Sequence, residues 1–147
     1  MKNVRDLITD QDLTVVSNKQ TVLETAQIMT RKNIGAVPVL EGDRVVGIFS
    51  ERDIMTRVVA KNLDPASTRV DQVMTKELLI GAPEEPVDAV EQRMKQYNIR
   101  HLPIVSNNKL VGMISLRDLL SAELDEKAEE IRMMTAYIHY IPPTFEN

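Results

Sequence analysis

The chain has 147 residues, a formal net charge of −4, 43% apolar residues and only 3% aromatic ones, which suits one compact domain or two small halves sharing a core. The acidic balance argues against general binding to a phosphate backbone, so nucleic acid is not an expected partner. With no Cys anywhere, disulfides, thiolate metal sites and cysteine nucleophiles are excluded.

The opening "MKNVRDLITDQD" carries no apolar run of the signal-peptide kind. No stretch approaches the roughly 20 apolar residues that cross a bilayer. The expectation is a cytoplasmic protein that keeps clear of membranes. In chain order, "LTVVS" (13–17) reads as a short buried strand ending in turn-formers. Val22, Ala26 and Met29 recur at helical spacing. "AVPVL" (36–40) is a strand with Pro38 near its start, where a missing N–H does least harm to a sheet. "EGD" makes a tight turn, "RVVGIF" (44–49) returns as the second arm of a hairpin, and a helix begins at Ser50.

The polar "KNLDPASTR" (61–69) is a connection, after which the same order recurs. "VDQVMT" (70–75) echoes "VRDLIT" (4–9) with a one-residue slip. "LLIGA" (78–82) is a second short strand, and Val87, Val90 and Met94 mark a second helix. "LPIV" (102–105) with Pro103, "SNN", and "KLVGMI" (109–114) form a second hairpin, with a helix from Ser115. That helix runs on, its apolar stripe formed by Leu120, Leu124, Ala128, Ile131, Met134, Ile138 and Ile141, until Pro142 and Pro143 end it.

"VVGIFSERD" (Val45–Asp53) thus returns as "LVGMISLRD" (Leu110–Asp118), 65 residues on. Between 33–55 and 98–120, eight of 23 aligned positions are identical, and most others exchange one apolar residue for another. This is a duplication. The expected class is α/β (α+β): two β-α-β-β-α repeats over 4–62 and 70–125, and a helical extension over 126–147. A half of about 60 residues buries too little surface to be comfortable alone, so the two are expected to pack sheet to sheet about a pseudo-twofold axis.

The repeated "SERD" and "SLRD" have a plain reading as helix caps, the hydroxyl accepting from a free N–H while the acid favours the positive helix end. A second reading adds an anionic or sugar ligand. Asp53 or Asp118 accepts from both hydroxyls of a ribose, and Ser50 or Ser115 contacts sugar or phosphate. The strand from Ala36 or His101 supplies backbone edges and apolar walls for a flat base. Capping alone does not require the Gly, the hairpin and the Arg before the Asp to recur together.

With "VPVL…VVGIFSERD" and "LPIV…LVGMISLRD" in register, the chain over about residues 4 to 125 resembles a tandem pair of cystathionine-beta-synthase (CBS) domains, the Bateman module. The resemblance implies two clefts that take adenosine compounds: AMP, ADP, ATP, S-adenosylmethionine or a dinucleotide such as NAD. It implies no catalysis and no catalytic cofactor. It places the family's Ser/Thr-x-x-Asp element on Ser50 and Asp53 and on Ser115 and Asp118, the Asp gripping the ribose. Candidate site residues are Val16, Ala36, Val37, Pro38, Ser50, Arg52 and Asp53 in the first half. In the second they are Ile80, Arg100, His101, Leu102, Pro103, Ser115, Arg117 and Asp118. Arg100 and His101 stand where the first half has Gly35 and Ala36, and in phosphate-holding members basic residues there reach the phosphates. Glu51 replaces Leu116, an added negative charge, so the two sites are expected to be unequal.

His139 is expected at a surface or interface. Two His and no Cys give no convincing metal set. No "GxSxG", P-loop or "GxGxxG" motif is present, so an enzyme is not expected. The leading expectation is a stand-alone adenosine-nucleotide sensor, working as a homodimer or through a separate effector protein. The competing one is an interaction scaffold with empty or plugged clefts, its terminal stripe covering a second subunit or its own domain.

Overall fold

The structure, a computed structural model, describes residues 3–139. Ile141, Pro142 and Pro143 lie outside the described residues, so the end of the terminal stripe is not placed. The elements are α1 (Val4–Ile8), β1 (Val16–Ser17), α2 (Val22–Lys32), β2 (Ala36–Glu41), β3 (Arg44–Ser50) and α3 (Glu51–Asp53), which continues as a π-helical turn over Ile54–Val59. A 3-10 turn (Val70–Gln72), α4 (Val87–Gln96), β4 (His101–Ser106), β5 (Lys109–Ser115) and α5 (Leu116–His139) complete the order.

Each half is built on a hairpin, with α and β elements mixed as expected. β2 and β3 pair antiparallel with Ala36 opposite Ser50, and β4 and β5 pair with His101 opposite Ser115. Both ladders slip at the same place, between Val39 and Leu40 and between Ile104 and Val105. The turns take positive φ at Gly42 in one half and at Asn107 and Asn108 in the other, residues that tolerate that region. β1 adds in parallel to β2, giving three strands in one sheet against two in the other.

The predicted outer strands are shorter than "LTVVS" and "LLIGA". The last ladder bond of β1 runs from the Asn18 N–H to the Leu40 carbonyl at 2.9 Å, while the N–H of Ser17, on the outer edge, goes to the side chain of Gln20 at 2.9 Å. In the second half Gly81 bridges to Ile104, donating to the Pro103 carbonyl and accepting from the Val105 N–H, both at 2.9 Å, while the Ala82 N–H faces away from β4 and goes to the Glu85 carboxylate at 2.9 Å. Pro83 follows and offers no donor.

Two hydrophobic cores result, and each borrows from the other half of the sequence. Val16, Met29, Val37, Phe49 and Val58 pack with Val70, Val73 and Met74, which follow the connection. Val90, Met94, Leu102, Ile114 and Leu119 pack with Val4 and Ile8 of α1. The leading segment of each repeat therefore seats on the opposite hairpin. Thr75 pairs by backbone with Ile48 on β3, its N–H donating to the Ile48 carbonyl at 2.9 Å. On β5 the side-chain amide of Gln11 does the same work: it accepts from the Met113 N–H at 2.9 Å and donates to the Met113 carbonyl at 2.6 Å.

Gly112 makes that seat possible, since a Cβ there would lie 2.7 Å from Ile8 Cγ2. The hairpins adjoin along β3 and β5. No described helix is long and apolar enough to cross a membrane.

Candidate functional site

Both Ser-x-x-Asp elements sit where a hairpin strand ends and a helix starts. The N–H of Glu51 donates to the Gly35 carbonyl at 2.9 Å, and that of Leu116 to the Arg100 carbonyl at 2.8 Å. These matching bonds fix each helix start beside the entry to its hairpin. They root Arg100 and His101 next to the first turn of α5.

At the first corner Ser50 caps α3 and Asp53 closes the reciprocal box. Asp53 Oδ2 accepts from the Ser50 N–H at 2.9 Å and from its hydroxyl at 3.1 Å. The other oxygen is also engaged: the Thr75 hydroxyl donates to Oδ1 at 3.4 Å, and Arg57 Nε stands 3.7 Å away. Arg57 is held in turn by the carbonyls of Val73 and Met74, at 3.2 and 2.7 Å. Asp53 is only 6% exposed. Its carboxylate is enclosed by the protein's own donors.

At the second corner the box repeats, the Ser115 N–H donating to Asp118 Oδ2 at 3.1 Å and the Asp118 N–H to Ser115 Oγ at 3.0 Å. There the likeness ends. Asp118 is exposed, and Oδ1 has no partner among the described residues. Ala122 stands where Arg57 stands in the first half. Thr9, which matches Thr75, gives its hydroxyl to the Arg5 carbonyl at 2.7 Å.

His101 is half-buried opposite Ser115. Burial lowers its pKa below the ordinary 6.5, Asp118 pulls the other way, Arg100 lowers it further, and Glu51 of the other half raises it. The second corner thus brings together an open carboxylate, a partly desolvated imidazole, a guanidinium and an acid from the first repeat.

The remaining predicted residues divide by burial. Val16, Ala36, Val37, Pro38, Leu102 and Pro103 are buried, so a ligand would meet their strands chiefly as backbone. Ile80 is half-exposed, and its counterpart in the first half is the exposed Val15, not Val16. Arg52, Arg100 and Arg117 are exposed, and none is in an ion pair among the described residues. An open groove of about 500 Å³ lies elsewhere, against Ala26, Gln27, Thr30 and Arg31 of α2. Its lining has none of the capping acids. Arg57 and Thr75, which decide the contrast between corners, were not singled out from the sequence. The signal was present in the alignment of Arg57 with Ala122.

Two hairpin-and-helix units with a capping Ser-x-x-Asp at each strand end define a duplicated α/β module. The CBS domain family model matches twice, over residues 4–60 and 70–125, and the chain belongs to that family. It is 39% identical over 128 residues to the CBS domain-containing protein YhcV of Bacillus subtilis, covering 87% of this chain and 90% of that one. Among solved structures, a protein with CBS domains from Burkholderia ambifaria superposes with a TM-score of 0.79 at 29% identity, over 84% of this chain and 95% of its own. The CBS domain pair of protein MJ0100, in complex with 5′-methylthioadenosine and S-adenosyl-L-methionine, superposes with a TM-score of 0.75 at 26% identity, over 86% and 98%.

Proposed function

We propose that this protein is a regulatory module that binds one adenosine compound per chain, at the second corner, and passes the binding event on through a change in conformation or assembly. The observation that carries the reading is the contrast between the two acids: both oxygens of Asp53 are engaged, and Asp118 keeps an oxygen without a partner among the described residues beside the start of α5. A ribose diol offers the two donors such a carboxylate lacks. Ile80 and the edge of β4 would lie along the base. Arg100 and His101 stand where phosphates of AMP, ADP or ATP would extend.

The complex of protein MJ0100 with two adenosine-derived ligands supports the nucleoside part of this reading. The basic pair favours a phosphorylated ligand over S-adenosylmethionine, with NAD as a longer variant. The ligand regulates and does not react. A homodimer and a separate effector protein complete the proposal, with the cytoplasm as its setting.

Calorimetric titration with AMP, ADP, ATP, NAD, 5′-methylthioadenosine and S-adenosylmethionine tests it. The expected result is micromolar or tighter binding at one site per chain, weakened at least tenfold by Asp118→Ala. Absence of heat and of thermal shift across the panel would leave the scaffold reading in possession of the field.

A further inference from the structure

Glu51 opens α3 and Leu116 opens α5, and the two side chains take opposite courses. Leu116 packs against the second core. Glu51 stays exposed and turns back over the entry to β2, where a Cβ on Gly35 would stand 3.2 Å from Oε1 and 3.4 Å from Cδ. The missing side chain of Gly35 is the room in which this carboxylate lies. Arg100 fills the matching place in the second half. With β3 beside β5, the Glu51 carboxylate comes near enough to the start of β4 to act on His101.

The charges that act on that imidazole are Asp118, Arg100 and Glu51, in falling order. Burial holds the ring's pKa below 6.5, so it is uncharged at neutral pH. The second corner therefore meets a ligand with one guanidinium against two carboxylates. Asp118 is committed to the ribose diol in the proposed function, and Glu51 is the acid left to face the phosphate end. AMP carries close to two negative charges at neutral pH, and each added phosphate brings about one more. At about 7 Å from an exposed carboxylate, each unit of negative charge is disfavoured about threefold. Glu51 also has a plain use, since the first turn of a helix favours an acid. That use is indifferent to the neighbouring corner and does not call for a carboxylate laid over Gly35.

We infer that Glu51 is a specificity-determining residue of the second corner, lent to it by the first repeat, and that it restricts the ligand there to an adenosine compound with a single phosphate, AMP over ADP and ATP. The inference rests on the ligand reading above and adds the phosphate count to it. The first corner has no equivalent device, because Ala36 stands there for His101 and the residue matching Glu51 is the inward-packed Leu116.

Calorimetry in magnesium-free buffer at neutral pH is expected to give AMP binding about tenfold tighter than ATP, with ADP between them. Glu51→Gln preserves the size of the side chain and should narrow that ratio to about threefold or less. Glu51→Lys should invert it. The gain in affinity from either change should grow with ligand charge, from the uncharged 5′-methylthioadenosine through AMP to ATP. A measurement without ligand accompanies these: Glu51→Gln should lower the His101 pKa further, followed by proton NMR of the ring and assigned with His101→Gln, because the acid raises it in the unaltered chain. Equal affinity for AMP and ATP in the unaltered chain, a ratio unmoved by Glu51→Gln, a gain as large for 5′-methylthioadenosine as for ATP, or an unmoved His101 titration would overturn the inference. Each of those results leaves the ligand reading standing. Absence of binding across the panel removes that reading, and the phosphate count with it.

Discussion

Asp53 and Asp118 show how the same side chain in the same motif is given different work by its neighbours. A carboxylate that already accepts from Ser50 and Thr75 and stands in an ion pair with Arg57 has little to offer a sugar. One that, among the described residues, accepts from Ser115 alone does. His101 extends the argument to pH. Burial holds its pKa below 6.5 in the folded chain, so as pH falls the unfolded chain takes up the proton first. The stabilisation present above pH 6.5 is therefore lost as pH drops through the lower folded value. A bound phosphate would reverse the sign locally by favouring the imidazolium. AMP affinity is then expected to tighten severalfold between pH 8 and pH 6, with proton uptake visible as buffer-dependent heat. His101→Gln should flatten the dependence, and 5′-methylthioadenosine, which carries no phosphate, should never show it. A pH-independent AMP affinity would remove His101 from the phosphate contact.

Among the elements, the helix starts carry the stability side of the same contrast. Removing the Asp53 carboxylate breaks a capping box at a buried acid and takes away the acceptor of the Thr75 hydroxyl and the counter-charge of Arg57. Asp53→Ala is expected to cost about 2 kcal/mol, and Asp118→Ala about 0.5–1 kcal/mol, since only a solvated cap is lost there. Urea midpoints of the two variants check the order, and a reversed order would mean that Asp118 is the more deeply engaged acid. The hairpins, their Gly and Asn turns and the helix caps could be read directly from the letters, because each depends on neighbours within a few residues. Strand lengths could not, since they depend on how far each run stays paired with its distant neighbour on β2 or β4. Nor could the closed state of the first corner. Its donors come from Arg57 and Thr75, and Thr75 lies 22 residues away in sequence from the acid it meets.

At the scale of the whole molecule, the duplication was legible and the exchange of leading segments was not. Periodicity marks Val4 and Ile8 as apolar, but nothing local says that they belong to the core of Leu102 and Ile114. The echo of "VRDLIT" in "VDQVMT" becomes intelligible once both segments are seen crossing to the other hairpin. Ile8→Ala should therefore cost about 2–4 kcal/mol, and the damage should surface far from the substitution. Hydrogen exchange is expected to speed up across β4, β5 and α4 and to stay unchanged in β2 and β3. Equal loss in both hairpins would show that the two cores unfold as one unit and that the exchange of segments has no local signature.

That exchange also sets a schedule for biosynthesis. A ribosome releases Val4 and Ile8 roughly a hundred residues before Leu119, and synthesis runs at about 5–20 residues per second. The nascent α1 must therefore wait for seconds, its greasy side uncovered, until its bed has been made. The hairpin of β2 and β3 can close as soon as Met74 emerges. α1 is thus a stretch that a chaperone would meet exposed until β4, β5 and Leu119 have been made.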